Sequence, residues 1–257
     1  MMKTTIQKIK SMKGKEKITM LTAYDCSTAK AMDDTGIDII LVGDSLGMVV
    51  LGYENTLSVT VEDIIRHTGA VSRGTKNALI VADMPAGSYD DKESAALNAE
   101  TLIKSGADTV KLENKPEIAK FLVDNAIEVM GHIGLTPQTA TNFKVQGKDE
   151  ETANKLIKQA KELEEAGCYI LILECMPVDL AKKITESISI PTMGIGAGVE
   201  CDGQVLVSND VVGLYDKLSP KFVKKYASLG DEMKKAFKEY IKDVKEGKFP
   251  TDKESFH

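Results

Sequence analysis

No stretch of this chain approaches the roughly 20 consecutive apolar residues that a membrane-spanning helix needs. Residues 1–17 are polar and lysine-rich and lack the apolar core of a secretory signal. A cytoplasmic setting is the expectation that follows. Basic residues are in deficit: 33 Lys and Arg stand against 39 Asp and Glu, a net charge of −6. That balance argues against a nucleic-acid backbone as partner, which calls for clustered cations. The four cysteines, Cys26, Cys168, Cys175 and Cys201, contain no C-x-x-C pair. They read as reduced core thiols and lack the spacing of a zinc cage. There is also no linker, low-complexity segment or strict repeat. One domain over residues 1–257 is expected, with a helical C-terminal extension.

What is present is an alternation. Apolar runs of strand length occupy residues 18–23, 37–42, 78–82, 109–112, 127–133, 169–173, 191–195 and 205–207, with polar, helix-like stretches between them. Continuous rather than alternating apolar runs fit strands buried on both faces, as in parallel sheets. Thr60 with Asp63 three residues on suggests an N-terminal capping box. The stretches 91–105 and 149–166 end beside Gly106 and Gly167, as helix C-termini often do. Eight β-α units in about 250 residues predict an α/β fold, a (β/α)8 TIM barrel. A doubly wound open sheet is the rival.

The polar residues that end these runs carry the chemistry. The second run ends in Gly43, Asp44 and Ser45, the third at Asp83, the fourth in V-K-L-E with Lys111 and Glu113, the fifth at His132, and the sixth at Glu174. In a parallel barrel all strand C-termini open on one rim, where active sites are built. Lys111 and Glu113, two apart, share a strand face. Any one polar residue at a strand end is unremarkable, because strand ends are wet. Four carboxylates, a lysine and a histidine on five successive strands are harder to dismiss. Crowded carboxylates raise one another's pKa unless a cation neutralises them. Oxygen-only ligands favour Mg²⁺, which takes one or two carboxylates plus substrate oxygens.

Other features are weaker. G-I-G-A-G at residues 194–198 follows the seventh run, where barrels often bind phosphate, but a tight turn explains it equally well. His67, inside a helical pattern, reads as structural. Residues 221–248 alternate lysines, acids and apolar residues and read as an amphipathic tail.

Taken together, L-T-A-Y-D (21–25), V-G-D-S-L-G-M (42–48), A-D-M-P (82–85), V-K-L-E (110–113), G-H-I-G-L-T-P-Q (131–138), K-V-Q-G (144–147), L-E-C-M-P (173–177) and G-I-G-A-G resemble the ketopantoate hydroxymethyltransferase family, in the same order, from about Thr4 to His257. Two loops differ from the family's usual pattern. The stretch from Gln138 to Lys144 is short, and Asn114 and Lys115 stand where glycines are usual. The resemblance implies a TIM barrel that moves a hydroxymethyl group from 5,10-methylenetetrahydrofolate to 3-methyl-2-oxobutanoate, giving 2-dehydropantoate for pantothenate and coenzyme A biosynthesis. It implies Mg²⁺ on Asp44 and Asp83, with Glu113 nearby and acting through water. It gives Ser45 and Lys111 the substrate carboxylate and Glu174 the role of base. Asp44, Asp83 and His132 are expected to face the substrate too, and the assembly is expected to be a homodecamer. Two alternatives stand beside it. A Mg²⁺-dependent lyase or mutase of the phosphoenolpyruvate/isocitrate-lyase type would need a C-G-H rim loop that the chain lacks. A non-catalytic metabolite-binding barrel would have little use for a base at Glu174.

Overall fold

A computed structural model describes residues 3–139, 144–217 and 220–257. Residues 140–143, most of the shortened stretch noted above, lie outside the described residues. The elements run in the order α1 (Ile6–Ser11), β1 (Ile18–Thr22), α2 (Cys26–Asp34), β2 (Ile39–Val42), α3 (Leu46–Val49), α4 (Val61–Gly74), β3 (Leu79–Asp83), α5 (Lys92–Lys104), β4 (Thr109–Glu113), α6 (Pro116–Asp124), β5 (Val129–Gly134), α7 (Glu150–Glu165), β6 (Ile170–Glu174), α8 (Val178–Ser187), β7 (Thr192–Ile195) and β8 (Gly203–Leu206). Among the described residues, the eight strands pair in parallel, each with its neighbours in sequence, and β8 closes onto β1. The fold is the expected (β/α)8 barrel and not an open sheet.

Alternation along each strand sorts its residues between two cores. Ile40, Val42, Ile80, Ala82, Val110, Leu112, Leu171 and Leu173 face outward and pack with the helices. Ile18, Met20, Ile39, Leu41, Leu79, Val81, Met130, Ile170, Ile172, Met193 and Val205 form the second cluster, inside the barrel. Ile9 and Met12, from α1 and its C-cap, join that inner cluster and close one end of the barrel.

The period of two then dictates what lies above the inner core. Asp83 continues the phase of Leu79 and Val81. His132 follows Met130, and Glu174 follows Ile172, in the same way. The polar ends of the strands therefore point inward at the rim.

Helices α1, α2, α4, α5 and α7 start where a side chain accepts from one of their first free N–H groups. Thr60 and Asp63 form the predicted reciprocal capping box on α4; such a cap contributes about 1 kcal/mol. Asp91 and Asp149 cap α5 and α7. His67 lies within α4, with Nδ1 2.6 Å from the Tyr24 carbonyl, which fits the structural reading.

The barrel unit ends at Val207, and Ser208–His257 form a second compact unit. It holds α9 (Ser208–Val211) and α10 (Leu229–Lys245). The helix covers only part of the expected 221–248 stretch. None of its residues is buried, and Phe237 and Tyr240 are 58% and 59% exposed.

Candidate active site at the barrel rim

The inward phase of the strand ends brings five of the six expected rim groups into a buried cluster. Asp44, Asp83, Lys111, Glu113 and His132 are all buried, and Glu174 is partly exposed at its edge. Register decides which of them meet. Asp83 on β3 lies opposite Lys111 on β4, and Lys111 Nζ forms a buried ion pair with Asp83 Oδ1. Glu113 shares a strand face with Lys111 but is not its ion-pair partner. Glu113 instead lies opposite His132 on β5. Its Oε1 is 3.5 Å from His132 Nδ1, and Glu174 Oε2 is 3.2 Å from His132 Nε2. These are ion-pair distances without hydrogen-bond alignment. The imidazole thus sits between two carboxylates.

Asp44 leaves the end of β2 and donates its backbone N–H to Asp83 Oδ2 at 3.1 Å. Ser45 occupies the N-cap position of α3 without a side-chain cap bond, and its Oγ lies 2.8 Å from the Tyr24 hydroxyl. Directly after Glu113 and Glu174, Asn114 (φ 37°) and Cys175 (φ 49°) adopt left-handed backbone that turns the chain away from the barrel. Gly134 (φ 100°) has no such choice, since a Cβ there would sit 2.1 Å from the Glu174 carbonyl oxygen.

Two residues that strand-end reasoning did not single out hold the cluster together. Gln138 Nε2 donates to Asp44 Oδ2 at 2.9 Å and to the Met84 carbonyl at 3.0 Å, while its backbone N–H donates to Glu113 Oε2 at 3.2 Å. The Tyr89 hydroxyl donates to Gln138 Oε1 and accepts the Glu113 N–H at 3.3 Å. Gln138 closes the G-H-I-G-L-T-P-Q segment, which was the available signal. Tyr89 carried none.

The charges do not balance within the protein. Four carboxylates face Lys111 and one imidazole. With all four carboxylates ionised and His132 protonated, two negative charges remain. Burial and the neighbouring Asp83 carboxylate push the Asp44 pKa well above the ordinary carboxylate range. Burial alone would lower the Lys111 pKa, but Asp83, Glu113 and Asp44 outweigh it and the net direction is up. Burial would raise Glu113, but contact with His132 and Lys111 holds it below its usual value. An all-oxygen site with a two-charge surplus and a carboxylate reluctant to ionise suits a hard dication. Among the described residues no three His, Cys, Asp or Glu form a ready-made metal cage. That still fits a metal which takes one or two carboxylates and completes its shell with substrate and water.

His132 gives a testable pH dependence in metal-free protein. Burial would depress its pKa, but Glu113 and Glu174 lift it from 6.5 to about 9. The stabilisation from its charge is therefore full below about pH 6.5 and lost as pH rises through about 9. The urea midpoint of the wild type should fall more between these limits than that of His132→Gln. Parallel profiles would show that the imidazole is not charged in the fold.

A closed β/α barrel whose rim gathers acids, a lysine and a histidine over an apolar floor defines a TIM-barrel enzyme. Comparison with known proteins narrows the class. The profile of the ketopantoate hydroxymethyltransferase family matches residues 3–252. The chain is 57% identical to the 3-methyl-2-oxobutanoate hydroxymethyltransferase of Clostridium novyi (strain NT), covering 98% of this chain and 94% of that protein. It is 56% identical to the enzyme of the same name from Enterococcus faecalis (strain ATCC 700802 / V583), over 94% and 90% of the two chains. The chain belongs to the ketopantoate hydroxymethyltransferase family.

Among solved structures, phosphoenolpyruvate phosphomutase from Streptomyces platensis subsp. rosaceus superposes with a TM-score of 0.64 at 10% identity, over 92% of this chain and 85% of the other. A phosphonopyruvate hydrolase, solved with oxalate and Mg++, does so with a TM-score of 0.64 at 10% identity, over 97% and 92%. These likenesses show a shared fold. The lyase and mutase alternative therefore retains its architecture but not the family.

Proposed function

We propose that the rim cluster transfers a hydroxymethyl group from 5,10-methylenetetrahydrofolate to 3-methyl-2-oxobutanoate, with a divalent metal, Mg²⁺ by preference, held by Asp44 and Asp83. The observation that carries the reading is the uncompensated acid cluster with one carboxylate, Glu174, set apart from the Asp44–Asp83–Lys111 group. When bound, the metal supplies positive charge at the keto and carboxylate oxygens of the substrate. The same-fold hydrolase solved with Mg++ is in keeping with a divalent metal here. Glu113 would act on the metal through water, and it also contacts His132.

The chain's own residues do the rest. Lys111, already polarised by Asp83, and Ser45 bind the substrate carboxylate. Glu174 removes the C3 proton, and the electron pair of that C–H bond moves toward the keto oxygen to give an enolate. His132, between Glu113 and Glu174, faces the substrate and holds the base in place. Water hydrolyses the methylene bridge of the donor, breaking both of its C–N bonds, so that tetrahydrofolate departs with its two nitrogens protonated and the one-carbon unit is left as formaldehyde. C3 of the enolate adds to that carbon, and the carbonyl oxygen takes up a proton to become the hydroxyl. A carboxylate can serve as base because charge forming on the enolate is met by Lys111 and the metal.

The direct test is to combine the protein, 3-methyl-2-oxobutanoate, 5,10-methylenetetrahydrofolate and Mg²⁺ and follow 2-dehydropantoate by mass spectrometry. Product that depends on all four supports the proposal. Turnover of isocitrate or of a phosphonate in its place would move the protein to the lyase and mutase reading.

The same reading includes assembly into a homo-oligomer, a decamer by family resemblance, in the cytoplasm. Supporting it, α10 presents Met233, Phe237, Tyr240, Ile241 and Val244 without burying any of them. A single-chain protein seldom leaves so much contiguous apolar surface. Light scattering at low micromolar concentration should give a particle far larger than 27.9 kDa; a clean monomer would contradict it.

A further inference from the structure

Beside the acid cluster, a cavity of about 300 Å³ opens between the ends of β4 and β5 and one face of α7. Asn114, Gly134, Thr136, Gln146, Lys155 and Gln159 are among the residues that line it. Three of its walls touch the chemistry. Asn114 directly follows Glu113, and Gly134 lies opposite Glu174 in the sheet. The Gln146 N–H donates at 2.8 Å to the carbonyl of Cys175, the residue after Glu174.

The lining is selective in its chemistry. Among the described residues it contains no carboxylate, and Lys155 is its one charged side chain. The side-chain amides of Asn114 and Gln159 are half-buried and make no hydrogen bond among the described residues. Half-buried amides without a protein partner bond to solvent or to a ligand, so these two are free to bind one. An amide offers a donor and an acceptor side by side, which matches the ring edge of a nitrogen heterocycle. Lys155 and Gln159 are four apart on α7 and so share one helix face. Lys155 is exposed, at the solvent side of that face. The branched 2-oxo acid is small and is accounted for inside the barrel by Lys111 and Ser45, so this second space is left for a second reactant.

We propose that this cavity holds the one-carbon donor. Its nitrogen-rich ring lies against the amides of Asn114 and Gln159, and its anionic tail runs outward past Lys155. The inference rests on the hydroxymethyl-transfer reading above and adds where the donor binds. A ring seated here reaches the substrate past Gly134, whose missing side chain keeps that wall at backbone level next to Glu174.

The test uses the full chain with Mg²⁺ and two variants, Gln159→Leu and Lys155→Glu, at helix positions that tolerate either residue. Calorimetry measures tetrahydrofolate binding, and steady-state assays give KM for the donor and for the 2-oxo acid. Gln159→Leu should weaken tetrahydrofolate binding and raise the donor KM by about tenfold, the scale of one lost hydrogen bond in a binding site. Lys155→Glu should weaken binding more at low salt than at high salt. The KM for the 2-oxo acid should stay within about twofold, because its contacts lie on other strands. Unchanged tetrahydrofolate affinity in both variants would overturn the inference, as would a parallel rise in both KM values. Deuterium exchange at C3 of the 2-oxo acid by the wild type separates the two levels. If exchange occurs and neither variant alters donor binding, only the donor site fails; if the wild type shows no exchange, the reading of the function falls with it.

Discussion

Glu174→Gln should slow deuterium exchange at C3 of 3-methyl-2-oxobutanoate by about 100-fold or more, the scale for loss of a positioned general base. The substitution is nearly isosteric and removes the proton acceptor. Glu174 suits the role because its surroundings differ from those of the other acids. Its side chain keeps 17% exposure where Asp83 and Glu113 keep 2%. Among the described residues its ion-pair contact is to His132, while Lys111 pairs with Asp83. A carboxylate tied to a metal or a lysine is a poor base, and Glu174 avoids both. Metal and 2-oxo acid should still bind to Glu174→Gln, since their ligands are untouched. Overall transfer should fall with exchange, because C3 must lose its proton before it attacks. Exchange at the wild-type rate in this variant would shift the role of base to His132 or Glu113.

Asp83→Ala should damage both stability and activity. Asp83 is 2% exposed, pairs with Lys111 and accepts the Asp44 N–H. Its removal strands a lysine ammonium that is 4% exposed. Breaking one side of a buried ion pair typically costs about 3–5 kcal/mol, and this loss should appear as a lower urea midpoint. Turnover should be abolished at ordinary Mg²⁺ concentrations, because one of the two proposed metal carboxylates is gone. The double variant Asp83→Ala, Lys111→Met separates the effects. It should recover part of the stability, since the Asp83–Lys111 pair is removed as a whole, and none of the activity. A single Asp83→Ala variant with wild-type stability and turnover would show that neither the ion pair nor the metal site is placed correctly.

The barrel was legible because its strands are buried on both faces. Each of the eight apolar runs became a strand, and the bounds moved by a few residues. One of the larger shifts is at the last strand, read at 205–207 and found at Gly203–Leu206. Gly203 and Gln204 look like a turn locally, and pairing with Ile18 and Thr19 on β1 draws them into the sheet. The rim residues were legible for the same reason, since strand ends in a parallel barrel share one face. Their partners were not. Lys111 meets Asp83 and not Glu113 because the register between β3 and β4 puts them side by side, and register is a property of the closed sheet. Gln138 and Tyr89 escaped notice because they come from loops. Their contacts to Asp44 and Glu113 span many residues of chain that no periodicity links.

The most direct test of this account is proton exchange by the wild-type protein without any folate. 3-Methyl-2-oxobutanoate would be incubated in D₂O with the protein, with and without Mg²⁺, and the C3 proton followed by NMR. The account predicts that the C3 signal disappears when protein and metal are both present and stays at the buffer rate when either is omitted. Exchange no faster than buffer with both present would contradict the claim that this rim cluster forms an enolate.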